Sequence, residues 1–229
     1  TDSCYRLQIT KLGIKWEYLV QIFQVGVPAG IQSVVINFSN VLLQSSVNSF
    51  GSIAMAGYTA ANNIFGFLFV SINSITQACM SFTSQNYGAG DLRRCKKIFR
   101  YCMLFGVVFT EILSAVFMIW DNFFVSIYTT SSAVAAFAIS RMRHVCSLEG
   151  LTATYEVESA ALRGMGKSLE PAIFTVLGTV VFRLIWMATI FRLVPTFEML
   201  MDVYVASWVF TGGALLIVYL RHMRKVSHA

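Results

Sequence analysis

From Val20 to Val47 the chain is a run of Val, Ile, Leu and Phe, interrupted at Ser33, Asn37, Asn40 and Gln44 and followed by Asn48. Steps of three and four residues put these polar groups on one face of an α-helix. The next apolar run repeats the pattern with Thr59, Asn62 or Asn63, Gly66, Asn73, Gln77, Ser81 and Ser84. Amides are costly against lipid tails, so both faces are expected to point into a bundle or a water-filled cavity. Hydropathy predicts six spans, at about 20–48, 53–83, 98–120, 133–162, 171–193 and 199–220. The predicted fold class is an all-α membrane protein. Residues 1–18 read as an amphipathic linker, residues 19–220 as a six-helix bundle and residues 221–229 as a tail.

Turn chemistry marks several boundaries. Pro28, between Gly26 and Gly30, should bend or start the first span. Gly88-Ala89-Gly90-Asp91 closes the second, and Gly164-Met165-Gly166 with Pro171 makes a tight hairpin between the fourth and fifth. Composition agrees with membrane residence. Of 229 residues 56% are apolar and 12% charged, against about 25% charged in soluble proteins. The chain lacks an initiator Met and a cleavable leader, so it is expected to be an internal or C-terminal piece of something longer. Cys4, Cys79, Cys95, Cys102 and Cys146 form no C-x-x-C pair, which argues against disulfides and zinc.

A net charge of +6 is compatible with nucleic-acid binding, but its distribution excludes that reading. Thirteen of the 17 basic residues fall on alternate connections. They are Arg6, Lys11 and Lys15 before the first span, and Arg93, Arg94, Lys96, Lys97 and Arg100 after the second. Arg163 and Lys167 follow the fourth, and Arg221, Arg224 and Lys225 the sixth. The positive-inside rule assigns those connections, and both ends of the chain, to the cytoplasm. Arg141, Arg143 and His144 break the pattern. They snorkel from a fourth helix that projects above the lipid, or face an outer vestibule.

Ionisable groups at membrane depth cost about 2.5–3.5 kcal/mol each and need a reason. Candidates are Glu111, Glu149, Glu156, Glu158, Arg183 and Asp202. Counting from the hairpin at 1.5 Å per residue puts Glu149 and Arg183 both roughly 18 Å from the cytoplasmic edge. They are expected to pair inside the bundle, with Glu156 nearer the cytoplasm. Glu158 reads as an interfacial group. The charges either tie helices together or mark an ion pathway, and the amides either glue helices or line a cavity. No His/Cys ligand cluster, G-x-S-x-G elbow or phosphate-cradling loop is present. No enzyme activity, catalytic residue, metal or cofactor is expected.

The segments Gly26-Val27-Pro28-Ala29-Gly30-Ile31-Gln32-Ser33, Gln44–Gly51 and Ala56-Gly57-Tyr58-Thr59-Ala60-Ala61 resemble multidrug and toxic compound extrusion (MATE) transporters. So do Ser84-Gln85-Asn86-Tyr87-Gly88-Ala89-Gly90 and Ala161–Ser168, in the same order. The resemblance covers nearly the whole chain and is to the C-terminal half of such a protein. It implies one lobe of a two-lobed, twelve-helix transporter of the bacterial inner membrane, whose partners are lipids, small organic substrates and an N-terminal six-helix half. It also implies alternating-access export of amphipathic or cationic compounds by H⁺ or Na⁺ antiport. Some relatives carry a Glu in the first helix of this half and an Asp in the fourth. Here the first span has no carboxylate, which points to the DNA-damage-inducible branch.

Glu156 falls where such sequences often have Glu, and Arg183 matches an Arg usual in the fifth helix; Glu149 has no such support. On this reading Asn37, Asn40, Gln44, Asn63, Asn73 and Gln77 line the substrate cavity. Glu156, with Glu149 and Arg183, forms a charge or ion-coupling network. Two alternatives stand beside it. A lipid or lipid-linked sugar flippase would favour a more cationic cavity, whereas Arg183 alone is expected deep. A non-transporting scaffold or receptor would have no use for the amides.

Overall fold

The computed structural model describes residue 13 and residues 15–228. Long helices account for five spans: α1 (Trp16–Asn48), α2 (Ser52–Gly88), α3 (Leu92–Ile119), a fifth span at Leu169–Leu193, and α10 (Phe197–His228). Each is long and apolar enough to cross a membrane. The linker expected over residues 1–18 lies mostly outside the described residues, and Trp16, Glu17 and Tyr18 already belong to α1. Pro28 sits inside that helix and does not start it. At the other end the expected tail is helical through His228, with Met223 buried against the bundle.

The fourth span departs from expectation. It is built from α5 (Ser132–Cys146) and α6 (Gly150–Gly164), separated by a turn at residues 147–149. A short helix, α4 (Asp121–Ser126), precedes it. The fifth span is also irregular. It runs as α7 (Leu169–Val176), a π-helical turn (Leu177–Val181), α8 (Phe182–Ala188) and α9 (Ile190–Leu193). Both irregular segments contribute residues to the central cavity.

Turn chemistry sets the helix ends. Gly90 adopts φ +75° after α2, and the Asp91 carboxylate then accepts the Arg94 N–H at 2.9 Å to cap α3. Gly166 takes φ +78° between α6 and α7. Close helix approach relies on missing side chains. A Cβ at Gly57 would stand 2.6 Å from that of Phe137 on α5, and one at Gly164 would stand 2.8 Å from the Met80 carbonyl on α2.

The core lies where α6 packs among α2, α3 and α10, around Leu162, Leu200, Met201, Leu215 and Val157. Glu158, expected at the interface, is buried there because α6 is covered on most of its circumference. The apolar side chains left exposed, such as Ile22, Phe23, Val34 and Phe38 on α1 and Tyr101, Leu104 and Ile112 on α3, form the surface a bilayer would cover.

Candidate functional site

A cavity of about 710 Å³ opens among α1, α2, α5, α6, α8 and α10. Asn37, Asn40 and Gln44 reach it from α1, and Asn73 and Gln77 from α2. Their amides have few fixed partners. Asn37 donates to the Ser33 carbonyl one turn back at 2.9 Å, and Gln77 to Asn73 Oδ1 at 3.5 Å. Most of their hydrogen-bonding capacity is therefore open to the cavity. Asn63 is the exception. It lines a separate hollow of about 480 Å³ with Asn48, Ser52 and Thr59, and its neighbour Asn62 takes the cavity position. Adjacent helical residues point about 100° apart. Arg141 selects between the two, donating to Asn62 Oδ1 at 2.6 Å.

The charged residues are arranged differently from the expected pair. Arg183 is buried and does not form an ion pair with Glu149. Its Nε donates to Ser207 Oγ at 3.1 Å and its Nη1 to Asn40 Oδ1 at 3.3 Å, bridging α8 to α10 and α1. Glu149 is also buried, and its Oε2 has no hydrogen-bond partner. The π turn just before Arg183 adds an extra residue to the helical repeat and rotates the guanidinium toward α1 and α10. Glu156 lines the cavity within electrostatic reach of Arg163, which in turn donates to Gln32 of α1.

At the break in the fourth span, α6 begins against a partner on α3. The Glu111 carboxylate of α3 accepts the Gly150 N–H at 2.8 Å, supplying the first turn of α6 with an acceptor and a negative charge. A Cβ at Gly150 would stand 2.6 Å from Glu111 Oε1, so a larger residue there would push the Glu111 side chain aside. Tight bonds such as Thr152 N–H to Glu149 carbonyl, 2.9 Å, close the turn. Ser39 Oγ to the Thr179 carbonyl at 3.3 Å and Ser168 Oγ to the Gln24 carbonyl at 3.1 Å hold α1 to the fifth span.

Two cavity features escaped the sequence reading. Arg141 is 4% exposed, and its guanidinium carbon lies 3.9 Å from the Tyr58 ring centroid. It is the other Arg, Arg143, that reaches solvent, paired with Asp121 at 3.1 Å. Neither snorkelling nor a vestibule therefore describes both arginines. The second feature is the Tyr58–Tyr204 hydroxyl contact at 2.9 Å. A usable signal existed for the first, since Arg141, Val145, Glu149, Thr152 and Glu156 recur every three or four residues. All five line the cavity. With Arg141 and Arg163 present, Arg183 is not its lone cation.

Among the described residues no group of three or more His, Cys, Asp or Glu side chains is placed to hold a metal ion. A family model described as MatE matches residues 28–189. The probable multidrug resistance protein YoeA of Bacillus subtilis is 24% identical over 160 residues, covering 70% of this chain and 35% of that protein. The multidrug export protein MepA of Staphylococcus aureus (strain MRSA252) is 24% identical over 206 residues, covering 89% of this chain and 45% of its own. The chain thus spans less than half the length of these relatives.

Two solved structures share the fold at low identity. A MATE protein crystallised in complex with MaD3S superposes with a TM-score of 0.86 at 19% identity, covering 100% of this chain and 51% of that one. A MOP superfamily transporter from Pyrococcus furiosus gives 0.83 at 21% identity, covering 99% of this chain and 50% of its own. The family match spans well over half of the chain and includes both amide-bearing helices, the broken fourth span and Arg183. This chain belongs to the MATE family of transporters.

Proposed function

We propose that this chain is the C-terminal half of a secondary active efflux transporter. It exports amphipathic organic molecules by alternating access, in exchange for inward H⁺ or Na⁺. The observation that carries the proposal is the cavity itself. Amides from two helices and a charged face from α5 and α6 converge on one space, inside a bundle whose exterior is apolar. The superposed structures are each about twice this chain's length, which supports a second six-helix half as its partner. Basic clusters on alternate connections support a cytoplasmic-membrane location with both ends of this six-helix unit in the cytoplasm.

In this proposal the neutral amides of Asn37, Asn40, Gln44, Asn62, Asn73 and Gln77 accept varied substrates, and Glu156 with Arg163 forms a charge pair sensitive to lobe opening. The test is gradient-driven efflux by the complete transporter in proteoliposomes. Glu156→Gln should lose ion-coupled efflux while retaining substrate binding. Full efflux by that variant removes Glu156 from coupling, and failure of the wild-type protein to move any of a drug panel refutes the transporter reading.

The three cavity arginines also favour a second reading, a flippase for a phosphate-bearing lipid. Reorientation of a fluorescent anionic lipid in the same vesicles, without drug efflux, would select it.

A further inference from the structure

We infer that Arg141 and Arg183 form a subsite, beside Tyr58 and Tyr204, for an anionic group (carboxylate, phosphate or sulfonate) carried by the transported molecule. The inference rests on the transporter reading and names a substrate class for the same cavity. Both guanidinium groups are almost fully buried, at 4% and 5% exposure, yet neither forms an ion pair. Arg141 donates to neutral Asn62 and to the Met201 sulfur at 3.0 Å, a weak acceptor, and its Nε has no partner. Arg183 donates to neutral Ser207 and Asn40. Removing a guanidinium from water costs several kcal/mol, and neutral hydrogen bonds and ring faces return only part of that.

The two cations also share one aromatic ring. Their guanidinium carbons lie 5.0 Å and 4.6 Å from the Tyr204 centroid. Arg141 and Arg183 are within electrostatic reach of each other, and an anion that reaches both relieves the repulsion between like charges. Glu149 is within electrostatic reach of Arg141 and partly offsets it. Across the whole lining, however, Arg141, Arg163 and Arg183 face only Glu149 and Glu156. A planar guanidinium fork matches the oxygens of a carboxylate or phosphate, so an oxyanion in the cavity compensates the charge. The rings of Tyr58 and Phe65 beside Arg141 then take the apolar part of an amphiphile.

The test uses the complete transporter, purified and reconstituted, with rhodamine B (free carboxylate) and its ethyl ester as probes. Wild-type protein should bind the carboxylate form more tightly. Arg141→Gln and Arg183→Gln should each weaken that form roughly tenfold and change the ester less than about twofold. Equal binding of both probes by the wild-type protein, or equal weakening of both by the substitutions, overturns the subsite. Because a buried-arginine variant can fail to fold, a competition on unaltered protein stands beside it. Octyl phosphate should displace rhodamine B better than octyltrimethylammonium does, and equal displacement again overturns the proposal. Stronger displacement by lysophosphatidylglycerol than by octyl phosphate assigns the anion to a lipid headgroup, and the reverse order to a free organic anion. Loss of gradient-driven dye movement with the carboxylate preference intact sinks the transporter reading and spares the subsite.

Discussion

Gly178 is the point at which the π turn meets α10, and replacing it with alanine is the sharpest perturbation available. A Cβ there would lie 2.0 Å from Thr211 Oγ1, 2.9 Å from its Cβ and 3.1 Å from its Cα. The hydroxyl cannot yield freely, because Thr211 is fully buried and donates to the Ser207 carbonyl at 2.6 Å. Overpacking of this kind costs about 1–3 kcal/mol, and loss of the displaced hydrogen bond adds about 1 kcal/mol. For a chain of this size each kcal/mol moves the melting point by about 2–4 °C. Gly178→Ala should therefore lower the melting temperature by on the order of 5–10 °C, read in detergent by size-exclusion chromatography after heating.

Thr211→Ala removes the nearest atom and should recover part of that loss. The coupling in the double-mutant cycle should be at least about 1 kcal/mol. Ser207, whose carbonyl anchors Thr211, also accepts from Arg183. The same variant should therefore weaken any property that depends on the Arg183 guanidinium. A Gly178→Ala protein melting within about one degree of wild type, or strictly additive effects with Thr211→Ala, would refute the claim that the fifth span and α10 approach too closely here for a side chain.

Other outcomes follow from the same geometry. Gly150→Ala drives a Cβ into the Glu111 side chain, whose carboxylate end can swing aside, and should cost about 1 kcal/mol on thermal melting, less than Gly178→Ala. Glu111→Gln, which keeps an acceptor oxygen, should melt above Glu111→Leu, and the reverse order would deny the carboxylate its capping role. Asn37→Ala and Gln44→Ala should change the order of preference across a drug panel while leaving stability within about 0.5 kcal/mol, checked by growth inhibition and thermal melting together. Arg143→Ala should cost less than about 1 kcal/mol, since that arginine is 65% exposed in its contact with Asp121. A larger loss on melting would mean the pair holds α4 in place.

The amide faces, the all-helical membrane class and the turn glycines were legible in the chain because each depends on local periodicity or local backbone chemistry. Asn37, Asn40, Gln44, Asn73 and Gln77 could be assigned to one surface by counting residues, and the structure places all five on one cavity. Counting also put Glu149 and Arg183 at matching depth. Depth along a helix leaves rotation about its axis undetermined, and that rotation decided their partners. The π turn at Leu177–Val181 and the break before Gly150 reset the rotation of the segments that follow.

Neither irregularity has a strong sequence mark. Gly178 needs Thr211 opposite it, and Gly150 needs Glu111, each from another helix. The same holds for Asn62 over Asn63, a choice made by Arg141, and for the burial of Arg141 itself among Tyr58, Tyr204 and Asn62. The sequence alone therefore determined an all-α membrane fold with a polar interior face. Tertiary packing decided which charges stand unpaired in that interior, because an arginine's electrostatic role depends on the groups that other helices bring within a few ångströms of it.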